Sequence, residues 1–450
     1  MPLIGAVSDD LTGATTTGVL LARSKARTAV FFNEEAAENA ENAENAEQLD
    51  AIIVSSNSRS LPANEAYEKV KSATQTLQRM GIKYFSKRID TTLRGGVGVE
   101  IDAMMDCIGD DVVAVVVPAM PQSRRILVGG FSLIDGVALI RTPVAQDVRT
   151  PVYENYIPRL LANQTRRKVG LVTLDTVLQG TESIKEKLIS IRAEGNEVIV
   201  VDGITLEDVE TIAQACVELK WNVIAVDPGT FTSKLALYRD LIQKEETNVP
   251  EETGENLNKT VLIAAGSATP VTKRQMEVLC EDPRVVRISV EPVPLINGGL
   301  EAIAEVERTV EIALAFFNKE KLPRAILMET ALHDELLNLS AEDDKRHYPD
   351  GMSADRINAG LGMIISRILE TVGQEKIAGL YTTGGDTMVN VCYQLGVECI
   401  EMLDYVIAQT DVGRLVGNYD GLPIVGKGGL TGTEHTAVDV VERLFKEATR

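Results

Sequence analysis

Short apolar runs rich in β-branched residues alternate along the chain with stretches of helical periodicity. Between these runs, Glu65–Met80 and Glu182–Ala193 place apolar residues at the spacing of an amphipathic helix. The runs that predict strands in the first half are Leu3–Ser8, Ala51–Ser56, Val112–Val117, Gly170–Leu174, Glu197–Val201 and Val223–Val226. This order is typical of βαβ units, so the sequence predicts an α/β fold with a largely parallel sheet.

A change in composition between Gln243 and Lys259 marks the best domain boundary. This stretch is acidic, rich in Asn and Thr, and contains Pro250 and Gly254. Strands are predicted again beyond it, at Val261–Ala265, Ala325–Met328, Ile377–Thr382 and Leu422–Val425. We therefore expect two α/β domains, 1–243 and 259–450, joined by a linker at 244–258 and separated by a cleft.

Composition narrows the classes of partner. The formal charge of -21 opposes binding to nucleic acid or to an anionic membrane. No apolar run approaches the ~20 residues of a membrane-spanning helix. Five scattered cysteines without a Cys-x-x-Cys pair indicate a reducing, cytoplasmic setting, and three distant histidines offer no zinc spacing. The Glu-Asn-Ala repeat at 34–48 predicts a solvated loop or helix without a catalytic role.

The strand Leu3–Ser8 runs directly into the adjacent carboxylates Asp9 and Asp10. Ligands of parallel sheets bind beyond the carboxyl ends of strands. Two neighbouring carboxylates there could accept hydrogen bonds from sugar hydroxyls or act as a general base. One of them could equally cap the helix that follows, a task that needs a single carboxylate.

A basic cluster follows the short predicted strand Lys83–Ser86. The stretch from Lys87 to Gly98 holds three cations, the carboxylate of Asp90, two hydroxyls and several glycines. Arginine holds a carboxylate or phosphate through two parallel hydrogen bonds, and glycine lets the backbone approach a ligand. In so acidic a chain, this cluster predicts a local anion site, although the same charges could also lie in water on a surface loop.

A third candidate follows the predicted strand Val112–Val117. Pro118 and Pro121 predict an extended loop that carries the pair Arg124 and Arg125 to the same sheet edge. A plain surface pair of arginines is the alternative.

Three strand-to-glycine junctions recur in the second half. They are Gly266-Ser267, Gly384-Gly385-Asp386-Thr387 and Gly428-Gly429, and each precedes a helical pattern. Glycine turns at helix N-termini bind phosphates through free amides and the helix dipole. Three of them together predict a nucleotide polyphosphate site.

Two nucleotide motifs are not supported. The run from Gly421 to Gly428 has Gly428 where a phosphate loop of the Walker type needs Ser or Thr as magnesium ligand. A Gly-x-Gly-x-x-Gly sequence is also absent, which argues against a nicotinamide-binding Rossmann domain.

Taken together, these motifs resemble the four-carbon acid sugar kinases, which act on threonate, erythronate or 3-oxo-tetronate. The resemblance spans essentially the whole chain and rests on Asp9–Ala14, Lys87–Gly95, Pro118–Gly130, Gly384–Thr387 and Lys427–Gly429. The third motif departs from the family pattern at Met120, Arg124 and Ile126-Leu127, so the choice among these acids stays open.

The resemblance implies a sugar-acid-binding domain followed by an ATP-binding domain. It implies a substrate site lined by Asp9, Asp10, Arg94 and Arg125, and nucleotide contacts from Ser267, Gly384, Gly385, Asp386, Thr387 and Gly428. Our own hypothesis adds Lys87 and Gly95 as substrate contacts and takes Asp9, Asp10 or Asp90 as the candidate base. In that hypothesis Asp386 binds the Mg²⁺ that accompanies ATP, directly or through water.

Other classes of function stay open at this point. A metal-dependent hydrolase or lyase could use the Asp9–Asp10 pair without ATP. A non-catalytic sensor could bind a sugar acid and a nucleotide without releasing ADP. Oligomeric state is equally open, with a homodimer as one option.

Overall fold

The computed structural model describes residues 3–40, 48–147, 149–244, 257–332 and 336–449. The chain divides into two compact units, Met1–Glu246 and Thr247–Arg450, which we call the N-terminal and C-terminal units. The predicted linker at 244–258 falls almost wholly outside the described residues, as do 41–47 of the Glu-Asn-Ala repeat and His333.

Parallel strands form the main sheet of the N-terminal unit. Its order is β2-β3-β1-β4-β11-β5-β10-β9, and the pairings between neighbours among these described strands are all parallel. These strands are β1 (Ile4–Ser8), β2 (Thr28–Phe31), β3 (Ala51–Ser55), β4 (Tyr84–Arg88), β5 (Val112–Val116), β9 (Val169–Val172), β10 (Val198–Val201) and β11 (Asn222–Asp227). A separate antiparallel sheet contains β6 (Arg125–Val128), β7 (Phe131–Ile134) and β8 (Val137–Ala138).

Helices connect these strands, as the right-handed βαβ crossover requires. They are α1 (Leu11–Arg23), α2 (Glu34–Ala40), α3 (Ala63–Arg79), α4 (Val97–Ile108), α5 (Ile157–Ala162), α6 (Leu174–Val177), α7 (Thr181–Ala193), α8 (Leu206–Glu218) and α9 (Thr230–Tyr238). Local sequence explains several helix starts. Asp10 caps α1, and Thr205 with Asp208 forms a reciprocal capping box on α8.

The C-terminal unit holds a mixed sheet in the order β13-β14-β12-β15-β18-β17-β16. Its strands are β12 (Thr260–Ala265), β13 (Val285–Ser289), β14 (Ala325–Glu329), β15 (Ile377–Thr383), β16 (Val397–Ile407), β17 (Thr410–Gly417) and β18 (Pro423–Lys427). Among the described strands of this sheet, the antiparallel pairings are those of β16 with β17 and of β17 with β18.

The helices of the C-terminal unit follow the same alternation. They are α10 (Pro270–Leu279), α11 (Pro292–Asn297), α12 (Gly299–Phe317), α13 (Leu339–Arg346), α14 (Met352–Val372), α15 (Gly385–Leu395) and α16 (Thr436–Glu447). α10 begins with Thr269 as its cap and Pro270 in the first turn, where proline has no amide to lose.

Each unit buries its own aliphatic core. In the N-terminal unit, β5 and β10 contribute Val115 and Ile199 against Ile212 of α8. In the C-terminal unit, β12 and β14 contribute Ile263 and Leu327 to the cluster. In the described parts of the chain, we find no helix that is both long and apolar enough to cross a membrane.

The predicted α/β class, with two domains and largely parallel sheets, is confirmed. Three local expectations need correction. β4 continues through Lys87 to Arg88, so Lys87 is a strand residue and not part of a loop. The loop predicted after β5 is instead a 3-10 turn at Pro121–Ser123 leading into β6. α2 is not fully solvated, because Ala37 is buried.

Candidate active site

Arg59 joins the two carboxylates that follow β1. Its Nε donates to Oδ2 of Asp9 at 2.8 Å, and its Nη1 lies 2.6 Å from Oδ2 of Asp10. Parallel pairing brings these residues together, since Ser8 of β1 is in register with Ser55 of β3, and Arg59 follows β3 by four residues. One arginine thus pairs with both adjacent carboxylates.

Arg88, the last residue of β4, binds the same pair from the other side. Its Nη1 lies 3.1 Å from an oxygen of Asp9 and 3.1 Å from one of Asp10. Asp10 also accepts the amide of Gly13 at 2.8 Å, which caps α1. Capping and arginine pairing therefore both occur. The Asp9 side chain is almost fully buried, whereas that of Asp10 is 27% exposed.

Asp90 is the third carboxylate of this cluster and lies just beyond β4. It accepts Nε of Arg94 at 2.7 Å and the hydroxyl of Thr92. Nη1 of Arg94 reaches Oδ2 of Asp147 at 3.2 Å. Gly95 has φ of +87°, and a Cβ there would lie 2.9 Å from the backbone oxygen of Arg59. The close approach of these two loops therefore requires glycine.

The arginines keep the buried carboxylates ionised. Burial raises the pKa of Asp9, but Arg59 and Arg88 outweigh it and hold that pKa below its ordinary value. Burial likewise raises the pKa of Asp90, and Arg59 and Arg94 bring it well below its usual range. Both groups are therefore hydrogen-bond acceptors for a ligand and weak proton acceptors.

Lys87 does not take the position expected of a substrate ligand. Its side chain is 0% exposed and lies 2.8 Å from Oε2 of Glu100. Glu100 also accepts the hydroxyl of Ser58 at 2.7 Å, one residue before Arg59. The physical reason is the strand alternation of β4, which turns Lys87 into the core and Arg88 toward the aspartates. Lys87 therefore fixes this network, and its charge also helps to lower the pKa of Asp9.

Arg125 begins β6 and is partly buried. Its Nη1 donates to the backbone oxygen of Ser123, and its buried Nε makes no hydrogen bond within the described chain. Burial lowers the pKa of Arg125, while Asp135 and Asp90 oppose that change. Arg124 lies 82% exposed beside Asp135 instead. Of this pair, Arg125 is thus the arginine with unused binding capacity.

The three glycine turns of the C-terminal unit follow adjacent strands in register. Ala265, the end of β12, pairs with Thr383 of β15, which in turn pairs with Lys427 of β18. Each of these residues directly precedes a glycine: Gly266, Gly384 and Gly428. The parallel sheet therefore brings all three turns to one edge, as the sequence predicted.

Hydroxyl groups link the first and third turns. Thr269 donates to the backbone oxygen of Gly429 at 2.5 Å, and Thr272 donates to the same oxygen at 3.2 Å. Thr272 also reaches Oγ of Ser267 at 3.1 Å. Ser267 is thereby held between the two turns, with its side chain partly exposed.

The second turn opens α15 without a side-chain cap. Gly384 has φ of +98°, a backbone conformation that favours glycine, and as the cap of α15 it offers no side chain to the helix start. Thr387 is buried and donates to Oδ1 of Asn358 at 2.8 Å. Asp386 lies exposed in the same turn, beside Gly385.

Lys427 supports the third turn from beneath. It is buried, and its Nζ donates to the backbone oxygen of Gly428 at 2.8 Å and reaches that of Thr431 at 3.4 Å. Burial lowers its pKa to about 8. This lysine fixes the shape of the loop that carries Gly428.

Among the described residues, no group of three or more His, Cys, Asp or Glu side chains is arranged to hold a metal ion. Magnesium usually binds through one or two carboxylates together with substrate phosphates. The single exposed carboxylate of Asp386 beside an uncapped helix start fits that kind of donor set.

Several residues of the two candidate sites, one in each unit, were not identified from the sequence. Arg59, Arg88 and Asp147 in the N-terminal unit, and Thr269 and Asn358 in the C-terminal unit, were not singled out. Arg88 lay inside a motif already noted. For Arg59, the one signal was an arginine shortly after a predicted strand.

Two family models match the two units. The model of a sugar-binding N-terminal domain matches residues 4–235, and that of a nucleotide-binding C-terminal domain matches residues 262–437. The chain is 35% identical over 442 residues to the D-erythronate kinase of Heliobacterium modesticaldum, covering 98% of this chain and 96% of that protein. The chain belongs to the four-carbon acid sugar kinase family.

Other relatives extend the same family. This kinase is 28% identical to the D-threonate kinase of Salmonella typhimurium, covering 97% of this chain and 96% of the relative. It is 27% identical to the 3-oxo-tetronate kinase of Pseudomonas savastanoi, covering 92% of this chain and 90% of the relative. The three relatives are named for different acids.

Solved structures agree on the fold. A Salmonella typhimurium LT2 protein superposes with a TM-score of 0.78 at 18% identity, covering 98% of this chain and 99% of the other. A Haemophilus influenzae protein gives a TM-score of 0.70 at 21% identity, covering 99% of both chains. At such identities the likeness shows the fold alone.

Proposed function

We propose that this kinase transfers the γ-phosphoryl group of ATP to the terminal hydroxyl of a four-carbon sugar acid. The observation that carries the proposal is the match to a D-erythronate kinase along nearly the whole chain. The Asp–Arg cluster beyond β1, β3 and β4 supports an acid site in the N-terminal unit. The three aligned glycine turns support an ATP site in the C-terminal unit.

In this proposal, Arg94 and Arg125 bind the substrate carboxylate. Arg125 has a buried Nε without a hydrogen bond within the described chain. Burial also lowers the pKa of Arg125, so the binding of an anion would stabilise its charged guanidinium. Arg94 is partly exposed and forms ion pairs with both Asp90 and Asp147. The backbone beside Gly95 and the side chain of Asp9 complete the wall of the site.

Asp10 is our candidate to orient the attacking hydroxyl and accept its proton. It is the most exposed carboxylate of the cluster formed with Asp9 and Asp90. Those two are held ionised by their arginines and are the better hydrogen-bond acceptors for the other hydroxyls. Phosphoryl transfer needs little proton abstraction before its transition state, so orientation is the main task.

The nucleotide contacts in this proposal come from Ser267, Gly384, Gly385, Thr387 and Gly428. Amides at the start of α15 would bind phosphate oxygens, helped by the helix dipole. Asp386 would hold Mg²⁺ together with the phosphates, and the ion would neutralise charge developing on the transferred group. Catalysis then depends mainly on positioning and charge neutralisation.

The metal-dependent hydrolase or lyase is less well supported. It needs the Asp9–Asp10 pair to coordinate a metal ion. Arg59 and Arg88 already bind oxygens of both carboxylates. The two guanidinium groups neutralise the two negative charges, so the pair does not form a cation site.

The decisive experiment is magnesium-dependent ADP release across a panel of erythronate, threonate and 3-oxo-tetronate stereoisomers, with a control that lacks acid. Strong release with one acid supports the kinase and names its substrate. ATP binding without release for any acid would contradict the proposal and favour the sensor. Acid turnover that needs no ATP would favour the hydrolase or lyase.

A further inference from the structure

Asp202 is a buried carboxylate outside the Asp–Arg cluster of the candidate acid site. It directly follows β10 and is fully buried. Its Oδ2 accepts the backbone amides of Gly129 at 2.6 Å and Leu174 at 3.0 Å, and its Oδ1 accepts that of Gly130 at 2.9 Å. A buried carboxylate is costly unless its oxygens are hydrogen-bonded, and these three amides supply the bonds. Asp202 thereby fixes the turn formed by Gly129 and Gly130.

This turn ends β6, the strand of 4 residues that begins at Arg125. Gly130 has φ of +77°, and a Cβ there would lie 2.6 Å from Cε2 of Tyr156. The turn is therefore closely packed as well as hydrogen-bonded, and its second position requires glycine.

The backbone of β6 is also tied to the segments that follow β10 and β5. At the middle of the strand, Leu127 and Gly203 exchange two hydrogen bonds, at 3.0 and 3.1 Å. At its start, the amide of Met120 donates to the backbone oxygen of Arg125 at 2.8 Å. A strand rises about 3.3 Å per residue, so the turn held by Asp202 lies ~13 Å from Arg125 along the strand. A displacement of that turn would therefore also move Arg125.

The placement of Arg125 depends strongly on where its backbone is held. The other arginines of the site, Arg59, Arg88 and Arg94, are each positioned by an ion pair with an aspartate. Nη1 of Arg125 instead donates to the backbone oxygen of Ser123, two residues away, and its buried Nε makes no hydrogen bond within the described chain. The guanidinium of Arg125 thus follows the position of β6.

Resting on the proposed function, in which Arg125 binds the substrate carboxylate, we infer that Asp202 is a positioning residue for Arg125. Asp202 acts through β6, because its carboxylate holds one end of the strand while the other end presents the guanidinium to the acid. Its effect is confined to the substrate that Arg125 contacts. Loss of Asp202 should therefore change the KM for the sugar acid and leave the KM for ATP unchanged.

A double-mutant cycle with Arg125 tests this inference, because a residue that acts through Arg125 has no effect once that arginine is removed. Asp202→Asn keeps the side-chain volume, but both carboxylate oxygens accept amides of the turn, so the new NH2 group must face one of these amides. Steady-state ADP release should show the KM for the sugar acid rise about 5- to 20-fold, the scale of one lost hydrogen bond to a charged group. The KM for ATP should stay within twofold. In an Arg125→Ala background, which itself raises the KM for the acid, Asp202→Asn should raise it further by less than twofold.

Gly130→Ala keeps the test informative if Asp202→Asn does not fold. This variant displaces the turn through contact with Tyr156, leaves the carboxylate in place, and should give the same pattern of KM values. Gly136→Ala is the matched control, because Gly136 has φ of +78° in the turn between β7 and β8. A Cβ at Gly136 meets no atom of the described residues within 4 Å. The control has the same backbone strain and should leave both KM values within twofold.

The outcomes separate this inference from the proposed function. If Asp202→Asn and Gly130→Ala leave the KM for the acid unchanged, or raise it equally in both backgrounds, Asp202 does not act through Arg125 and the kinase stands. If Arg125→Ala itself leaves that KM unchanged, the inference fails while ADP release still supports the kinase. If the wild-type protein releases no ADP with any acid of the panel, the proposed function and this inference both fail.

Discussion

Nε of Arg59 donates to Oδ2 of Asp9 across 2.8 Å, joining residues that are 50 positions apart in the chain. The same guanidinium reaches Asp10 and lies 3.9 Å from an oxygen of Asp90. Burial lowers the pKa of Arg59, but the aspartates outweigh it and raise that pKa well above its ordinary value. One arginine therefore reaches all three carboxylates of the candidate acid site.

Replacing this arginine should damage stability and activity together. In Arg59→Met, the buried carboxylate of Asp9 loses its main partner, and breaking such a pair costs about 3 kcal/mol. We expect urea denaturation to show that loss in the free energy of unfolding. The kcat/KM for the sugar acid should fall at least 100-fold, because Asp10 loses its fixed orientation.

A surface arginine provides the matched control. Arg79 is half-exposed and pairs with Glu38 on the surface, where an ion pair contributes little. Arg79→Met should keep the wild-type stability within about 0.5 kcal/mol and the wild-type kcat/KM. Equal behaviour of the Arg59 and Arg79 variants would show that the buried arginine does not organise the site.

The proposed contact between Arg94 and the substrate carboxylate can be tested by comparing a charged with a neutral substrate. Arg94→Ala should raise the KM for the sugar acid 10- to 100-fold, since a charge-assisted hydrogen bond contributes roughly 1.5–3 kcal/mol. The weak turnover of the corresponding neutral polyol should not change, because the polyol has no carboxylate for Arg94 to bind. Steady-state ADP release with both substrates measures the difference.

Arg124 is the control for that experiment, since it lies in the neighbouring motif but is exposed beside Asp135. Arg124→Ala should leave both KM values unchanged. An Arg94→Ala enzyme that loses acid and polyol turnover equally would assign Arg94 a structural role through Asp90 and not a substrate contact.

The site was partly predictable because strand ends are visible in sequence. Asp9 and Gly266 each directly follow a predicted strand, and parallel strands bring such ends to one edge of a sheet. Arg59 was not predictable in the same way. It follows β3 after three polar residues, and only the register of β1 with β3 places it against Asp9.

Burial was harder to predict than element type. Lys87 and Arg88 are adjacent cations in sequence, yet the alternation of β4 sends one into the core and the other into the site. The antiparallel strands β16 and β17 were also missed. β16 carries charged residues such as Glu398 and Glu401 at exposed or half-exposed positions, which breaks the continuous apolar run of the parallel strands.

Gly266 should be essential for the nucleotide site. A Cβ there would lie 2.3 Å from Oγ1 of Thr387 and 2.7 Å from Oδ1 of Asn358, so the first and second turns would separate. Gly266→Ala should raise the KM for ATP at least 10-fold and leave the KM for the sugar acid within twofold. Initial rates with each substrate varied in turn measure both constants.

Gly203 offers a control glycine, because a Cβ there meets its nearest neighbour, Ala119, at an ordinary 3.7 Å. Gly203→Ala should leave both KM values unchanged. If Gly266→Ala raised the KM for the sugar acid as much as that for ATP, the first turn would not be specific to the nucleotide.

Lys427 should give the protein a pH-dependent stability on the alkaline side. Burial lowers its pKa from 10.5 to about 8. Between these values the unfolded chain holds a proton that the folded chain lacks, so raising the pH stabilises the fold. The unfolding free energy of the wild-type protein, minus that of Lys427→Met, should rise by about 3 kcal/mol from pH 8 to pH 10.5, at about 1.4 kcal/mol per pH unit.

Taking the difference between two proteins at each pH removes the titration of every other group. Loss of the hydrogen bonds to Gly428 and Thr431 lowers the stability of Lys427→Met by an amount that does not depend on pH, so only the slope reports the lysine. The exposed Lys273 is the control, and Lys273→Met should give a flat difference. A flat difference for Lys427→Met as well would mean that this lysine stays charged in the fold, because a counter-charge or water reaches it.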